Sequence, residues 1–237
     1  MTLVDNNISA GNASWTFEGI SSDFESHVEK SVPLYNFGHD LVCKYSDFFI
    51  TSRDSRIYEL GCSTGALTRK LLKWHSERPG LKIVGIDPIQ DMIDAAASRG
   101  AGDPRGLYLC EDALAVDMSG ADMIVSYYTI QFVPPRIRQE LINKIYNSLN
   151  WGGAFILFEK VRAPDARFQD YANQVYTDFK VDHGFSAENI VNKTRSLKGV
   201  LEPFSTDGNL GLLKRAGFVD MMTLLKWVCF EGFLAIK

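Results

Sequence analysis

Three acidic residues of this chain have the spacing expected of a site for a positively charged nucleoside. Glu59 lies two residues before the first glycine of the segment ELGCSTG, while Asp87 and Asp112 each follow a later apolar segment. Gly61 and Gly65 permit a sharp turn and let a ligand approach the backbone closely. Because a carboxylate at Glu59 would repel a pyrophosphate, the segment favours a ligand that carries an ammonium or a sulfonium group.

The elements that must position these acids are short strands that alternate with amphipathic helices. This alternation predicts βαβ units in an α/β, doubly wound, Rossmann-like fold around a mostly parallel, seven-stranded sheet. Helical periodicity is found in ALTRKLLKWHSE, QDMIDAAASRG and PRIRQELINKIYNSLN. The predicted strands cover residues 56–60, 81–87, 106–112, 121–128, 152–161, 220–227 and 230–237.

Two regions lie outside this alternation. Residues 14–50 predict an N-terminal helical lid, with two helices separated near Pro33, because proline and its preceding residue disfavour a continuous helix. Residues 165–204 predict cap helices laid over one edge of the sheet. The length of 237 residues and the 46% hydrophobic content favour a single domain over residues 1–237.

In a doubly wound sheet, the carboxyl ends of the parallel strands form the ligand-binding edge. Asp87, 26 residues after Gly61, is placed to accept hydrogen bonds from both hydroxyls of a ribose. Asp112 is placed to accept from an adenine amino group, and Ala113 to offer its backbone N–H to the ring. A tight turn without a ligand, with each aspartate acting as a cap, is the alternative.

The segment ELGCSTG resembles the first motif of the class I S-adenosylmethionine-dependent methyltransferases, an acidic residue followed by G-x-G-x-G. Ser63 stands at the middle glycine position. The resemblance implies S-adenosyl-L-methionine as the cofactor and S-adenosylhomocysteine as its product. The residues that it implies for cofactor binding are Tyr35, Glu59, Gly61, Cys62, Ser63, Gly65, Asp87, Pro88, Asp112, Ala113 and Tyr127.

The flanking segments resemble one branch of that group, the carboxy-S-adenosylmethionine synthases. The similar segments are WTFE, KSVPLYN, VGIDP, YTIQFVPP, LNWGGAFILFEK, DFKVDHGFS and LLKRAGF. The likeness covers nearly the whole chain. It implies a reaction of S-adenosylmethionine with prephenate that gives a carboxylated sulfonium for the modification of the tRNA wobble uridine.

Two positions depart from that branch, in which an asparagine and an arginine hold the added carboxylate. The asparagine position corresponds to Tyr127, and the arginine position falls on Thr194, one residue before Arg195. One residue along a helix is a rotation of about 100°. The two departures favour ordinary methyl transfer to a small-molecule acceptor, with carboxy-S-adenosylmethionine synthesis as the alternative and a non-catalytic nucleoside-binding protein as the second alternative.

Several side chains could take part in the transfer. Tyr127 and His183 are the candidate catalytic residues, because a hydroxyl or carbon acceptor would need a general base, and Glu159 is a further candidate. Tyr128 and Arg195 are the candidate substrate contacts. For His183, which precedes a glycine, a cap at the end of a helix is the alternative role.

Composition excludes other classes of function. The formal net charge of −4 provides no basic field for a nucleic acid. The four cysteines are widely spaced, which predicts neither a metal site nor disulfides and favours the cytoplasm. No signal peptide or membrane span is expected. A homodimer is a further expectation.

Overall fold

The computed structural model describes residues 1–5 and 7–237. The chain begins with an antiparallel hairpin of β1 (Thr2–Asp5) and β2 (Ile8–Ala10), followed by α1 (Phe24–Ser31) and α2 (Tyr35–Ser46). The alternating part then runs through β3 (Arg56–Leu60), α3 (Ala66–Trp74), β4 (Lys82–Asp87), α4 (Gln90–Gly100), β5 (Gly106–Cys110), β6 (Ala121–Tyr127), α5 (Pro135–Ser148) and β7 (Leu149–Lys160).

The last part of the chain contains three helices and two strands. The helices are α6 (Ala166–Asp182), α7 (Ala187–Ser196) and α8 (Thr206–Ala216), and the strands are β8 (Asp220–Trp227) and β9 (Phe230–Ile236). Sequence signals define their ends. Asp165 caps α6 by accepting from the Phe168 N–H, and Ser186 forms a capping box with Asn189 at the start of α7.

The seven long strands form one sheet in the order β5-β4-β3-β6-β7-β9-β8. All neighbouring pairs from β5 to β7 are parallel, while β9 is antiparallel to both of its neighbours. The predicted seven-stranded, mostly parallel sheet is confirmed. The chain moves outward from β3 to β5 and then returns to place β6 on the other side of β3. That reversal creates the crevice where ligands bind in such sheets.

Helices pack on both faces of the sheet, and the alternation of side chains along β3 shows how. Tyr58 and Leu60 join a cluster with α5 and α8 residues such as Leu141 and Leu213. Ile57 points to the opposite face and packs with residues of α2 and α3. Glu59, two residues from Ile57, therefore faces α3 at the carboxyl end of the strand.

The N-terminal helices appear where the sequence predicted them, since α1 ends at Ser31 and α2 begins at Tyr35. The hairpin of β1 and β2 was not predicted. It packs against α7, with Val4 and Ile8 in a small apolar cluster with Trp15. In the part of the chain that the structure describes, no helix is long and apolar enough to cross a membrane.

Candidate functional site

A cavity of about 460 Å³ lies at the carboxyl ends of the central strands. Its volume falls in the range of small-molecule sites. The sheet edge contributes residues of the glycine turn after β3 and the ends of β4, β6 and β7. The opposite wall comes from α1, α6, α7 and the segment before α1. The cavity is therefore shared by the sheet edge and by both regions that the sequence predicted as a lid and a cap.

The glycine turn has the backbone shape that its sequence suggests. Gly61, Ser63 and Gly65 have φ values of 68°, 47° and 73°. The N–H groups of Gly61 and Cys62 donate to the Ile86 carbonyl at 2.8 and 3.1 Å, which ties the turn to β4. Gly65 is the N-cap residue before α3 and does not line the cavity, whereas Gly61, Cys62 and Ser63 do. Ser63 thus adopts a left-handed conformation that costs a non-glycine residue about 1 kcal/mol.

Asp87 lies at the end of β4 with only 7% of its surface exposed. Its Oδ2 accepts from the Ser63 N–H at 3.0 Å and its Oδ1 accepts from the Ile89 N–H at 3.0 Å. Each carboxylate oxygen has a second acceptor position, which leaves capacity for two hydroxyl donors. Burial raises the pKa of Asp87, and the two backbone N–H groups oppose that shift. The side chain can accept from both hydroxyls of a ribose.

Glu59 is the more deeply buried acid, at 3% exposure, and it lines the same cavity. Its Oε2 accepts from the Thr68 hydroxyl of α3. Burial raises the pKa of Glu59 to about 8, and the nearby Asp87 carboxylate contributes to the increase. Two buried acids that repel each other favour a ligand that brings a positive charge, because such a ligand would stabilise both as carboxylates.

Asp112 differs from the other two acids because it is exposed. Its Oδ1 accepts from the Leu114 N–H at 2.8 Å, so it also shapes the loop after β5. Asp112, Ala113 and Pro88 all line the cavity at the end nearest β4 and β5. We call Glu59, Asp87 and Asp112 the acidic end of the cavity.

Tyr127 and Tyr35 meet at the centre of the site, and both line the cavity. The Tyr127 hydroxyl donates to the Tyr35 backbone carbonyl at 2.6 Å. Gly38 leaves room for this ring, since a Cβ at Gly38 would lie 2.0 Å from the Tyr127 hydroxyl oxygen. Burial holds the pKa of Tyr127 well above its ordinary value. The structure does not support Tyr127 as a general base, because its hydroxyl is a donor held by the backbone.

Tyr128 is better placed to meet a ligand. It has a φ of 60°, and its N–H donates to the Phe158 carbonyl at 2.8 Å, so the residue turns away from the strand direction at the edge of the sheet. Its ring lines the cavity, and its hydroxyl forms no hydrogen bond with the residues that the structure describes. Burial and the nearby Glu159 raise the pKa of Tyr128. The hydroxyl is therefore a hydrogen-bond donor rather than a base.

Two sequence-predicted residues lie away from the cavity lining. His183 caps the end of α6, where its ring stacks on Phe179 with centroids 3.9 Å apart and its Nδ1 lies 2.7 Å from the Phe179 carbonyl. Arg195 is exposed on α7, and the cavity is lined instead by Thr194. Neighbouring residues on a helix point in directions about 100° apart, so Arg195 points away from the cavity when Thr194 faces it. The catalytic prediction for His183 and the substrate prediction for Arg195 have no support here.

Glu159 also lies outside the cavity lining. Its side chain is buried on β7 near Arg138, and burial raises its pKa to about 8. Its side chain is packed inside the protein and does not face the space that a substrate would occupy. Its role as a general base is not supported, since a base must reach the proton that it removes.

Three lysines that were not among the predicted site residues also line the cavity. Lys160 ends β7, Lys180 lies on α6 and Lys193 on α7. Burial lowers the pKa of all three, and the neighbouring Lys160 contributes to a value of about 8 for Lys180. The position of Lys160 at the end of a parallel strand was the one sequence signal that could have identified it.

The segment before and within α1 closes the cavity with aromatic side chains. Trp15, Phe17 and Phe24 line it, and Phe17 packs edge-on against Phe132 with centroids 5.0 Å apart. Glu25 fixes α1 to the sheet helices. Its Oε1 accepts from Arg99 at 2.6 Å, Arg69 at 3.1 Å and Thr64 at 2.6 Å. This wall would exclude water from a bound ligand.

Comparison with known proteins agrees with this geometry. A family model described as a methyltransferase domain matches residues 57–153. The chain is 36% identical to the carboxy-S-adenosyl-L-methionine synthase of Staphylococcus epidermidis, over 94% of this chain and 97% of that protein. It is 33% identical to the same enzyme of Campylobacter lari, over 92% of each. The fold is similar to human N-acetylserotonin methyltransferase in complex with S-adenosylmethionine, with a TM-score of 0.56, 17% identity, and coverage of 93% of this chain and 59% of that chain.

Proposed function

The chain belongs to the carboxy-S-adenosyl-L-methionine synthase family, and from this membership we propose that it is a transferase that binds S-adenosylmethionine and passes its methyl group to a small molecule. The observation that carries the proposal is the position of Asp87. This buried acid is bonded to the glycine turn and still has free acceptor positions toward the cavity. A nucleoside with adjacent hydroxyls and a positive charge fits that arrangement.

The residues at the acidic end have separate tasks in this proposal. Asp87 accepts from the ribose hydroxyls, and Glu59 accepts from the ammonium of the amino-acid part. Asp112 and Ala113 lie where the base would reach the loop after β5. When bound, S-adenosylmethionine supplies a methyl group that is already activated by the positive sulfur. The protein therefore has mainly to align the acceptor and exclude water, which lowers the entropic cost of the reaction.

The rest of the cavity serves the acceptor. Tyr128 offers an unused hydroxyl that can orient an acceptor, and the aromatic wall of Trp15, Phe17 and Phe24 keeps the reacting atoms dry. In the transfer, the bond from sulfur to the methyl carbon breaks and its electron pair stays on sulfur, while an electron pair of the acceptor forms the new bond to the methyl carbon. A proton released from the acceptor passes to solvent water. Tyr127 supports this centre by fixing the backbone at Tyr35.

Carboxy-S-adenosylmethionine synthesis is the second candidate, and it is favoured by the full-length match to relatives with that name. Methyl transfer is favoured by the two departures from the family pattern. Thr194 lines the cavity at the position of the family's arginine, and the hydroxyl of Tyr127, at the position of the family's asparagine, is bonded to the backbone. Without these two donors, a carboxylate beside the sulfonium would be poorly compensated.

Mass spectrometry of the nucleoside produced by the purified protein separates the two candidates. The protein is incubated with S-adenosylmethionine and a mixture of small organic acids, in parallel samples with and without prephenate. We expect S-adenosylhomocysteine together with a methylated acid, and no dependence of this product on prephenate. A nucleoside heavier than S-adenosylmethionine by one carboxyl group, formed only with prephenate, would instead establish the second candidate.

The proposal also covers the type of substrate, the cellular compartment and the oligomeric state. A net charge of −4 and a cavity walled by aromatic side chains suit a small molecule rather than a nucleic acid. The cytoplasm and a homodimer remain predictions. Light scattering of the purified protein would test the second of these directly, with a mass of two chains expected.

A further inference from the structure

We propose that His27 is the general base of the methyl transfer and that Asp5 positions it. The inference deepens the proposed function and rests on it, since it names the group that takes the proton of the acceptor and the kind of atom that is methylated. That atom is the oxygen of a hydroxyl group. We call Asp5 and His27 the dyad.

The hydrogen bond between the two residues prepares His27 to accept a proton. His27 lies on α1 with only 5% of its surface exposed, and it lines the cavity. Its Nδ1 donates to the Oδ2 atom of Asp5 on β1 at 2.7 Å. Because a carboxylate oxygen only accepts, this bond places the ring proton on Nδ1 and leaves a lone pair on Nε2. Nε2 forms no hydrogen bond with the residues that the structure describes, so it is an oriented and unused acceptor.

The ring of His27 is held between two aromatic side chains that also line the cavity. Trp15 stacks on it with centroids 5.9 Å apart and an interplanar angle of 29°. Phe185 packs edge-on against it with centroids 5.8 Å apart. A base that is fixed in orientation before the acceptor arrives loses little entropy in the reaction.

The position of Asp5 is fixed by contacts between the hairpin of β1 and β2 and helix α7. The Leu3 carbonyl accepts from the side-chain amides of Asn189 and Asn192 at 3.3 and 3.0 Å. Val4, the residue between Leu3 and Asp5, is fully buried. The hairpin therefore presents the Asp5 carboxylate to α1 from a packed position.

A continuous wall joins His27 to the part of the cavity that is assigned to the acceptor. Ser31 lies one turn further along α1, about 5.4 Å away, and its carbonyl accepts from the Tyr176 hydroxyl at 2.8 Å. Tyr176 packs against Phe230, and Phe230 packs against Tyr128, with centroids 5.1 and 5.7 Å apart. An acceptor oriented by the Tyr128 hydroxyl would therefore lie in the space that His27 also lines.

The charges around His27 keep its ring neutral and suit a hydroxyl acceptor. Burial, with a smaller contribution from Lys193 of α7, lowers the pKa of His27 to about 4, while Asp5 of β1 opposes that shift and Lys30 of α1 adds slightly to it. A base this weak does not ionise a free hydroxyl. A hydroxyl oxygen becomes strongly acidic while it forms a bond to a methyl group, so its proton can then pass to such a base. A carboxylate acceptor has no proton to lose and would leave the dyad without a task.

The proposed step is balanced with the residues and the cofactor already named. A lone pair of the hydroxyl oxygen forms the bond to the methyl carbon, while the bond from sulfur to that carbon breaks and its electrons stay on sulfur. The electrons of the O–H bond remain on oxygen, and the proton moves to Nε2 of His27. The Asp5 carboxylate stabilises the resulting imidazolium, which then releases the proton to solvent water.

Methyl transfer to phenol and to thiophenol at pH 8 tests the base, because thiophenol is ionised at that pH whereas phenol keeps its proton. Each compound is incubated with the protein and S-adenosylmethionine that carries a labelled methyl group, and the labelled product is counted. We expect His27→Gln to slow transfer to phenol by about a hundredfold or more, and to leave transfer to thiophenol within about threefold of wild type. His183→Gln is the matched control, since His183 is exposed at the end of α6 and lies outside the cavity lining.

Nitrogen NMR of protein with labelled histidine tests the dyad without any acceptor. At pH 7 we expect Nε2 of His27 to carry no proton in the wild-type protein, and the spectrum of His27→Gln identifies the signals of this residue. Asp5→Asn keeps the shape of the side chain but removes its charge. It should move the ring proton toward Nε2 and slow transfer to phenol by about tenfold or more, as expected of a positioning residue.

Three results would overturn the proposal. The first is an equal slowing of both acceptors in His27→Gln, which is the result of a purely structural role. The second is a wild-type protein that methylates thiophenol but not phenol. The third is a protonated Nε2 on His27 at pH 7 in the wild-type protein, and this measurement needs no variant. Absence of transfer to both compounds would count against the proposed methyl transfer, whereas the NMR result tests the dyad separately.

Discussion

The hydroxyl of Tyr127 donates to the backbone carbonyl of Tyr35 at 2.6 Å, which joins the end of β6 to the start of α2. This bond removes Tyr127 from the list of groups that could accept a proton. The neighbouring Tyr128 also lines the cavity, and its hydroxyl has no such bond with the residues that the structure describes. We therefore propose different roles for the two adjacent tyrosines, a structural role for Tyr127 and acceptor binding for Tyr128.

Substitution of each tyrosine by phenylalanine should reveal this difference. Tyr127→Phe loses one hydrogen bond and should lower the free energy of unfolding by about 1 kcal/mol, with little effect on turnover. Tyr128→Phe should leave stability nearly unchanged but raise the KM for the acceptor. Urea denaturation and steady-state kinetics measure the two effects. A loss of turnover confined to Tyr127→Phe would restore Tyr127 as a catalytic residue.

The buried acid Glu59 should make the stability of the ligand-free protein depend on pH. Its pKa rises from 4.5 to about 8 on folding, so the folded state holds the proton more tightly. The stabilisation is complete below pH 4.5 and is lost as the pH rises through 8. Between these two pH values, this one carboxyl group lowers the free energy of unfolding by up to about 1.4 kcal/mol for each unit of pH increase.

Glu59→Gln should therefore flatten the decline of unfolding free energy between about pH 5 and pH 8, which urea denaturation at several pH values would measure. Glu77→Gln is a suitable control because Glu77 is exposed. Equal pH slopes for wild type and Glu59→Gln would contradict the assignment of a raised pKa to this carboxyl.

One substitution should change the balance between methyl transfer and carboxy-S-adenosylmethionine synthesis. Thr194→Arg places a guanidinium in the cavity at the position of the family's arginine and should increase formation of the carboxylated nucleoside from S-adenosylmethionine and prephenate. Arg195→Ala, which changes an exposed side chain on the same helix, should have no effect. Mass spectrometry of the products measures both. Loss of activity in Arg195→Ala would show that Arg195, rather than Thr194, reaches the substrate.

The sheet and the acidic end could be predicted because both depend on local sequence. A buried parallel strand is a short apolar run, and the residues at its carboxyl end reach the ligand-binding edge. This reasoning correctly brought Glu59 and Asp87 into one cavity. The hairpin of β1 and β2 was missed because strands of four and three residues have too little alternation to be recognised.

The other half of the site depends on contacts between segments far apart in the chain. Lys160 and Lys180 come together over the Tyr176 ring only because α6 returns over the end of β7, and the sequence does not specify the helix rotation that turns Lys180 inward. The same uncertainty in rotation placed Arg195 in the site when Thr194 lies there. His183 caps α6 and lies outside the cavity lining, and the sequence left both roles open because a helix cap and a catalytic histidine can have the same sequence surroundings.

Calorimetric titration with S-adenosylmethionine and S-adenosylhomocysteine tests the central claim most directly. The wild-type protein should bind both compounds. Asp87→Ala should weaken both by about tenfold or more, since a hydrogen bond to a charged group contributes at least about 1.5 kcal/mol. Asp94→Asn, an exposed aspartate on α4, should bind as wild type does. No heat with either compound, or the same affinity in Asp87→Ala, would contradict the account.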